Sequence, residues 1–192
     1  MIDIIQPCEV ATAIAEQQEA REYRPTAMIL GGIVLNPATG IVSFVTIVSS
    51  KDGRPNEPNL WWFPQGGIEN GETPEETASR ELDEEILGGL EPVVPEIFTV
   101  LGAFKSDKNQ KDKWSKGKLL VAYFAPVVLT NGREGIKPNP KENIAEAGLT
   151  DESTLRIFLR QVKIVAPQKH AKAEFSTAMM AKSVELLRNP KG

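Results

Sequence analysis

Three glutamates spaced i, i+3 and i+4, namely Glu81, Glu84 and Glu85, are the residues whose type and spacing could do chemistry. On a helix this spacing brings all three carboxylates to one face within about one turn. Three like charges so close repel one another, and a hard divalent cation that prefers oxygen ligands, such as Mg²⁺, removes the penalty. Such an ion can act as a Lewis acid and activate a water. A solvated acidic face is the alternative reading, and spacing alone does not separate the two. No Ser-His-Asp or Cys-His nucleophile system is evident. The sole histidine, His170, lies between Lys169 and Lys172 near a helix start and reads as a surface residue, and the lone Cys8 has no disulfide partner and no zinc-spaced companions.

The elements that must position the glutamates follow from local signals. Thr73 caps, Pro74 suits the first helical position, and Glu75 and Glu76 suit the positive end of the dipole, so a helix is expected from Thr73 to about Leu87, stopped by Gly88 and Gly89. At about 100° per residue, Ala78, Leu82 and Ile86 make an apolar stripe with the glutamates beside it, at the edge of the core. Upstream, Thr26 to Leu35 and Ile41 to Val48 flank the turn residues 36–40 and predict a hairpin. Ser50 to Asn59 reads as a loop and Leu60 to Phe63 as a short strand followed by glycines. Ile97 to Phe104 and Lys118 to Val128 read as strands, the second followed by an Asn131-Gly132 turn. Asp151 to Gln161 and Ala171 to Arg188 read as helices. Ahead of all this, a helix from Pro7 to about Arg21 has a polar far end and is expected to be a loosely attached extension, residues 1–22, before a domain of residues 23–192. Strands and helices mix without a regular βαβ repeat, which predicts an α+β sheet covered by helices.

The chain has 192 residues, 41% hydrophobic and 25% charged, enough for one core. A net charge of −4 argues against non-specific coating of nucleic acid, since such binding is mostly phosphate neutralisation by Lys and Arg. The charge is uneven: six lysines against two aspartates between Lys105 and Lys118 give a local +4 and leave −8 elsewhere. Within that loop Lys113, Lys116 and Lys118 beside Trp114 suit an anionic, base-bearing ligand, while an ordinary solvated loop is the competing reading. No apolar run approaches a membrane span, and Asp3 and Glu9 stand where a signal peptide would carry positive charge, so a cytoplasmic protein is expected.

The string from Gly66 to Glu85 resembles the Nudix box, whose pattern is Gly, five residues, Glu, seven residues, Arg-Glu, an aliphatic, any residue, Glu-Glu, any residue, Gly, aliphatic. Gly66, Glu72, Arg80, Glu81, Leu82, Glu84 and Glu85 fall in register. The departure is at the end, where Leu87 and Gly88 stand in place of Gly and an aliphatic. One extra residue before the helix stop is the expected explanation. The resemblance implies a Nudix-type α/β/α sandwich with a mixed, mostly antiparallel sheet, and a metal-dependent pyrophosphohydrolase using Mg²⁺, with Mn²⁺ as a substitute. It implies that Glu81, Glu84 and Glu85 bind metal, that Glu84 or Glu85 orients or deprotonates the attacking water, and that a backbone carbonyl near Gln65 or Gly66 completes the site. Glu72 and Arg80 are then expected to pair and hold the loop on the helix.

Trp62-Phe63-Pro64-Gln65-Gly66-Gly67-Ile68, with Tyr23-Arg24-Pro25 ahead of the first strand, is similar to the branch containing RNA pyrophosphohydrolases and dinucleoside polyphosphate hydrolases. By that likeness Arg24 reaches a phosphate, and the substrate is a nucleoside polyphosphate, a dinucleoside polyphosphate or the 5′ end of RNA. No membrane and no stable duplex partner is expected, and monomer and homodimer both stay open. A further catalytic glutamate on a later loop, as many family members have, would be Glu142, with Glu146 second. A catalytically silent nucleotide-binding module of the same fold is the rival reading; the presence of all three glutamates speaks against it.

Overall fold

Runs of β-branched and aliphatic residues on either side of 36–40 form the expected hairpin, β1 (Tyr23–Asn36) and β2 (Ile41–Ser49), with Gly32 opposite Phe44 and a bulge between Val34 and Asn36. The computed structural model describes residues 2–36, 38–49, 61–92, 99–107, 116–130, 135–166 and 169–189. The expected loop at 50–59, Leu60, the middle of the lysine loop with Lys113 and Trp114, and the Asn131-Gly132 turn lie outside them.

Strand β1 is longer than its hairpin. Its first half leaves β2 and pairs instead with β4 (Gln65–Gly67), Thr26 opposite Gly67, Ala27 opposite Gly66 and Met28 opposite Gln65. The far half of β2 takes β3 (Trp61–Trp62), and β8 (Ile144–Asp151) runs antiparallel along β2 from Ser43 to Ser49. On the other edge of β1 runs β7 (Gly117–Leu129), parallel to it from Tyr23 beside Gly117 to Gly32 beside Pro126. Antiparallel to β7 lie β6 (Thr99–Asp107) and β5 (Leu90–Pro92). Among the described residues, one parallel pair set among antiparallel neighbours makes the mixed, mostly antiparallel sheet that was expected.

The two faces are covered by different helices, and β1 shows why. Successive side chains of a strand point to opposite faces. Ala27 and Ile29 join the cluster containing Val10, Ala13 and Ile14 of α1 (Val10–Ala20) and Ala78 and Leu82 of α2 (Pro74–Glu85). Met28 and Leu30 join the cluster containing Leu155, Leu159 and Val162 of α3 (Glu152–Val165) and Phe175, Met179 and Val184 of α4 (His170–Arg188). Burying one large apolar side chain contributes about 1.5–3 kcal/mol, so both layers are integral to stability. The result is an α/β/α sandwich.

Three expectations need correction. The first helix is not loosely attached: Val10 is 2% exposed, and the buried Gln17 accepts the Tyr23 N–H through Oε1 at 3.0 Å, closing the α1–β1 corner behind left-handed Arg21. Ile5 also exchanges two main-chain hydrogen bonds with Ala103, tying the N-terminal segment to β6. Secondly, Ile144–Asp151 is a strand, though Glu146, Gly148 and the mixed exposure of its residues hide any alternation. Finally, α2 ends at Glu85 and not Leu87, with Ile86 extended at φ −127°.

The start of α3 gives a first test. Asp151 caps it, accepting the Thr154 N–H at 2.9 Å and the Thr154 hydroxyl at 2.7 Å, with the Ser153 hydroxyl as third donor. Those hydrogen bonds hold its carboxyl down at about 2. The folded value is depressed, so this stabilisation is complete above the unfolded value of roughly 3.9 and is lost as pH falls toward the folded one. Asp151→Ala should cost about 1 kcal/mol at neutral pH, measured by urea denaturation, and the gap to wild type should narrow below about pH 4 and close as pH falls through about 2. A gap that persists there would show that the carboxylate is not its source.

Candidate active site

Helix α2 presents the three glutamates as the spacing implies. Thr73 and Glu76 form a reciprocal capping box, the Thr73 Oγ1 accepting the Glu76 N–H at 3.2 Å and Glu76 Oε2 accepting the Thr73 N–H at 2.8 Å. Ala78, Leu82 and Ile86 are buried, and this rotation sets Glu81 (7% exposed) and Glu85 (9% exposed) against the sheet edge. Glu84 stays about half in solvent.

What they face is β4. A Cβ built on Gly66 would lie 1.6 Å from the Glu81 Cδ, so the Glu81 carboxyl occupies the space that the missing side chain leaves. Glu85 Oε2 accepts the main-chain N–H of Gln65 at 3.0 Å. Burial pushes the Glu85 carboxyl up to about 8, helped by the nearby charges of Glu81 and Glu142 and opposed by the Gln65 N–H and Lys172. Burial also raises Glu81, against the pull of Arg80.

Arg80 organises the rest. Its Nε and Nη2 meet Glu72 Oε1 and Oε2 at 2.7 and 2.9 Å, Nη2 also donates to the Gly67 carbonyl at 3.0 Å, and Nη1 donates to Glu81 at 2.7 Å and Glu84 at 3.0 Å. The guanidinium holds Glu72 down at about 2, and it is held well above its own ordinary value chiefly by its hydrogen bond to Glu72. Glu72 Oε2 also accepts the Glu69 N–H, so the loop before the helix is locked to Arg80. Glu72 and Arg80 are thus paired, as the motif implies.

Among the described residues no three Asp, Glu, His or Cys side chains stand as a ready set of metal ligands. The cation between Glu81 and Glu84 is Arg80's guanidinium. The donor chemistry nonetheless fits a hard divalent ion: two buried carboxyls carry a desolvation cost that their present partners only partly offset, a third is exposed enough to turn, and Gly66 makes room for the Glu81 carboxyl beside the β4 backbone.

The motif's departure at its end has a physical explanation. The exposed carbonyls of the last turn of α2 are satisfied from another segment: the Asn139 side-chain amide donates to the Glu84 carbonyl and the Asn139 N–H to the Glu85 carbonyl at 3.1 Å. Leu87 N–H then bonds the Lys137 carbonyl. Gly88 and Gly89, at φ 78° and 80°, turn the chain after this cap and do not form it.

Elsewhere the expected residues distribute unevenly. Arg24 is exposed, and its guanidinium lies over Gly67, where a Cβ would come within 2.4 Å of Nη2. Lys118 is Arg24's register partner on β7. Lys116 pairs with Glu22 at 2.7 Å, so the stem of the lysine loop is anchored at the β1 end nearest Gly67. Glu142 lies exposed in a short 3₁₀ turn after Asn139, and its charge reaches Glu85; Glu146 sits on β8 opposite Val48. Sequence reasoning missed Gln65 as a donor, Asn139 as the cap and Lys172, whose ammonium donates to Gln65 Oε1 at 2.9 Å and lies 4.2 Å from the Trp62 ring centre. A cation in the first turn of α4, the wrong end for the helix dipole, was the one available signal for Lys172.

The α/β/α sandwich and this glutamate helix define a class, and comparison with known proteins agrees. The profile of the family described as "NUDIX domain" matches residues 26–175, and the chain belongs to that family. Among curated proteins it is similar to an RNA pyrophosphohydrolase of Marinomonas sp. (strain MWYL1), 40% identical over 80 residues, covering 42% of this chain and 41% of that one. An RNA pyrophosphohydrolase of Pseudoalteromonas translucida (strain TAC 125) is 60% identical over 37 residues, 19% of this chain and 20% of that one. The chain thus aligns with less than half the length of these relatives. A solved C. elegans Ap4A hydrolase binary complex superposes with a TM-score of 0.52 at 15% identity, covering 86% of this chain and 98% of that one, which speaks to the fold. No described helix is long and apolar enough to cross a membrane.

Proposed function

We propose that the protein is a divalent-metal-dependent pyrophosphohydrolase acting on a nucleoside polyphosphate, a dinucleoside polyphosphate or the 5′-triphosphate end of RNA. The observation that carries this is the set Glu81, Glu84 and Glu85 on one face of α2, two of them buried against Gly66 and Gln65. Mg²⁺ is the proposed ion, with Mn²⁺ able to substitute, held by Glu81, Glu84, Glu85 and a main-chain carbonyl of β4. That of Gln65 is favoured over that of Gly66, because the Gln65 N–H, and with it the carbonyl of the same residue, faces α2 while Gly66 pairs with Ala27 of β1. When bound it supplies Lewis acidity and lowers the pKa of water. Glu84 or Glu85 orients the attacking water and takes its proton as the new P–O bond forms and the anhydride P–O bond breaks. Glu142 is the proposed additional acid, favoured over Glu146 by its influence at Glu85. Arg80, fixed by Glu72, keeps α2 and the Gly67 loop in register.

Arg24, with the lysine loop through Lys113, Trp114, Lys116 and Lys118, is the proposed capture surface for the polyphosphate. Arg24 sits at Gly67 and the loop's stem at the same end of β1, which supports this. Residues 1–22 are proposed as an extension built into the core of the 23–192 domain, and the cytoplasm as its compartment.

The test is a panel of 5′-triphosphorylated RNA, dinucleoside polyphosphates, nucleoside triphosphates, nucleotide sugars and ADP-ribose, with Mg²⁺ and after exhaustive chelation. The phosphorus attacked is read from ¹⁸O-water incorporation. Hydrolysis of at least one substrate, abolished by chelation and restored by Mg²⁺ or Mn²⁺, is expected. No hydrolysis of any, or activity that survives chelation, would overturn the reading.

A further inference from the structure

Gln65 is gripped from both layers of the sandwich. Its main-chain N–H, on the side of β4 away from β1, donates to Glu85 on α2 at 3.0 Å. Its side chain pairs across with Met28, in the cluster under α3 and α4, and its Oε1 accepts from Lys172 of α4 at 2.9 Å. The same ammonium lies 4.2 Å from the Trp62 ring centre, on the strand just before β4. Lys172 therefore fixes both sides of the Phe63-Pro64 corner that leads into the glutamate site, with a charge-assisted hydrogen bond on one and a cation–π contact on the other.

We propose that Lys172 is a positioning residue for Glu85, acting through Gln65. Three observations converge on it. An ammonium that makes both of these contacts restricts β4 more than either contact alone, because the Gln65 side chain and the Trp62 ring lie on opposite sides of that corner. The strand it restricts, Gln65–Gly67, is tied to β1 on one edge by ladder bonds that run from Pro64 to Ile68, while its other edge meets Glu85 and Arg80, so a shift of the Gln65 peptide is felt directly at Glu85. Lys172 also stands in the first turn of α4 beside Lys169 and His170 with no acidic residue there, an arrangement that works against the helix dipole. A cation kept where helix formation disfavours it fits a residue retained for what it holds. The consequence is a mechanical link from α4 across β4 to the acid on α2.

This inference rests on the hydrolase reading, so its test has one arm that needs no activity. Lys172→Met, Gln65→Ala and the double variant are compared with wild type, with Lys172→Arg as the conservative replacement. Exchange of the Gln65 amide hydrogen, measured by NMR, should quicken by about tenfold or more in Lys172→Met, because the bond to Glu85 opens more often. On the best substrate of the panel, kcat should fall by about ten- to a hundredfold with KM little changed, as for other outer residues that orient a site. Lys172→Arg should recover most of the loss. The double variant should be no worse than the worse single variant, since both cut one chain of contacts. Unchanged Gln65 exchange in Lys172→Met, additive losses, or a raised KM at unchanged kcat would overturn the proposal, the last by making Lys172 a substrate contact. A wild-type protein inactive on the whole panel would sink the hydrolase reading and leave the exchange arm to decide the clamp.

Discussion

Glu85→Gln should lower kcat by about 10²- to 10⁴-fold, the span of positioned acid–base groups, in a protein that melts no lower than wild type. The two halves of that expectation have one cause. Glu85 is 9% exposed and burial pushes its carboxyl up to about 8, so the charged form is unfavourable where it stands. Glutamine keeps the shape and an acceptor for the Gln65 N–H while removing the group that ionises. A site that does chemistry at the expense of stability shows this signature, a gain or no loss in melting temperature with a large loss in rate. Glu84→Gln should also lower kcat, but with little effect on melting in either direction, because Glu84 is about half exposed and its partner Arg80 keeps Glu72 and Glu81. Steady-state kinetics with thermal melts of the metal-free proteins check both. A Glu85→Gln enzyme within about tenfold of wild type would show that the acid lies elsewhere.

How far the chain could be read from its residues depended on whether the deciding contact was local. Thr73, Pro74 and Glu76 lie within one turn of one another, and their cap formed as expected. Glu72 and Arg80 are eight apart, and the motif carried that pair. The exit of α2 was misread because its cap, Asn139, comes from more than fifty residues away and replaces a glycine by a side-chain amide. Strand β8 was missed because what makes it a strand is pairing with β2, far earlier in the chain, while its own composition, with Glu146 and Gly148, has no period. The N-terminal helix was misjudged for a similar reason: Gln17 looked like surface, yet its amide is buried as a bond to Tyr23. Lys172 is the extreme case, since its partners Gln65 and Trp62 become neighbours only once α4 crosses the sheet.

Gly66→Ala should inactivate the protein nearly as thoroughly as loss of Glu81 itself. Gly66 does not adopt a left-handed conformation, so its role is space and not backbone freedom. The added methyl would stand 1.6 Å from Glu81 Cδ and within 1.8 Å of both carboxylate oxygens. Those atoms end a flexible side chain, so the methyl evicts them sooner than it splits β4 from β1, where Gly66 pairs with Ala27. Fold should survive for that reason, and the carboxyl, displaced from the sheet edge toward solvent and Arg80, no longer shares a site with Glu85. The discriminating measurement is a double-mutant cycle. If Gly66→Ala acts by moving Glu81, then adding it to Glu81→Gln should cost little more than either change alone, and circular dichroism should be that of wild type in all three. If the losses multiply, Gly66 serves the site through something other than Glu81, and the main-chain carbonyl proposed as a metal ligand becomes the next atom to test.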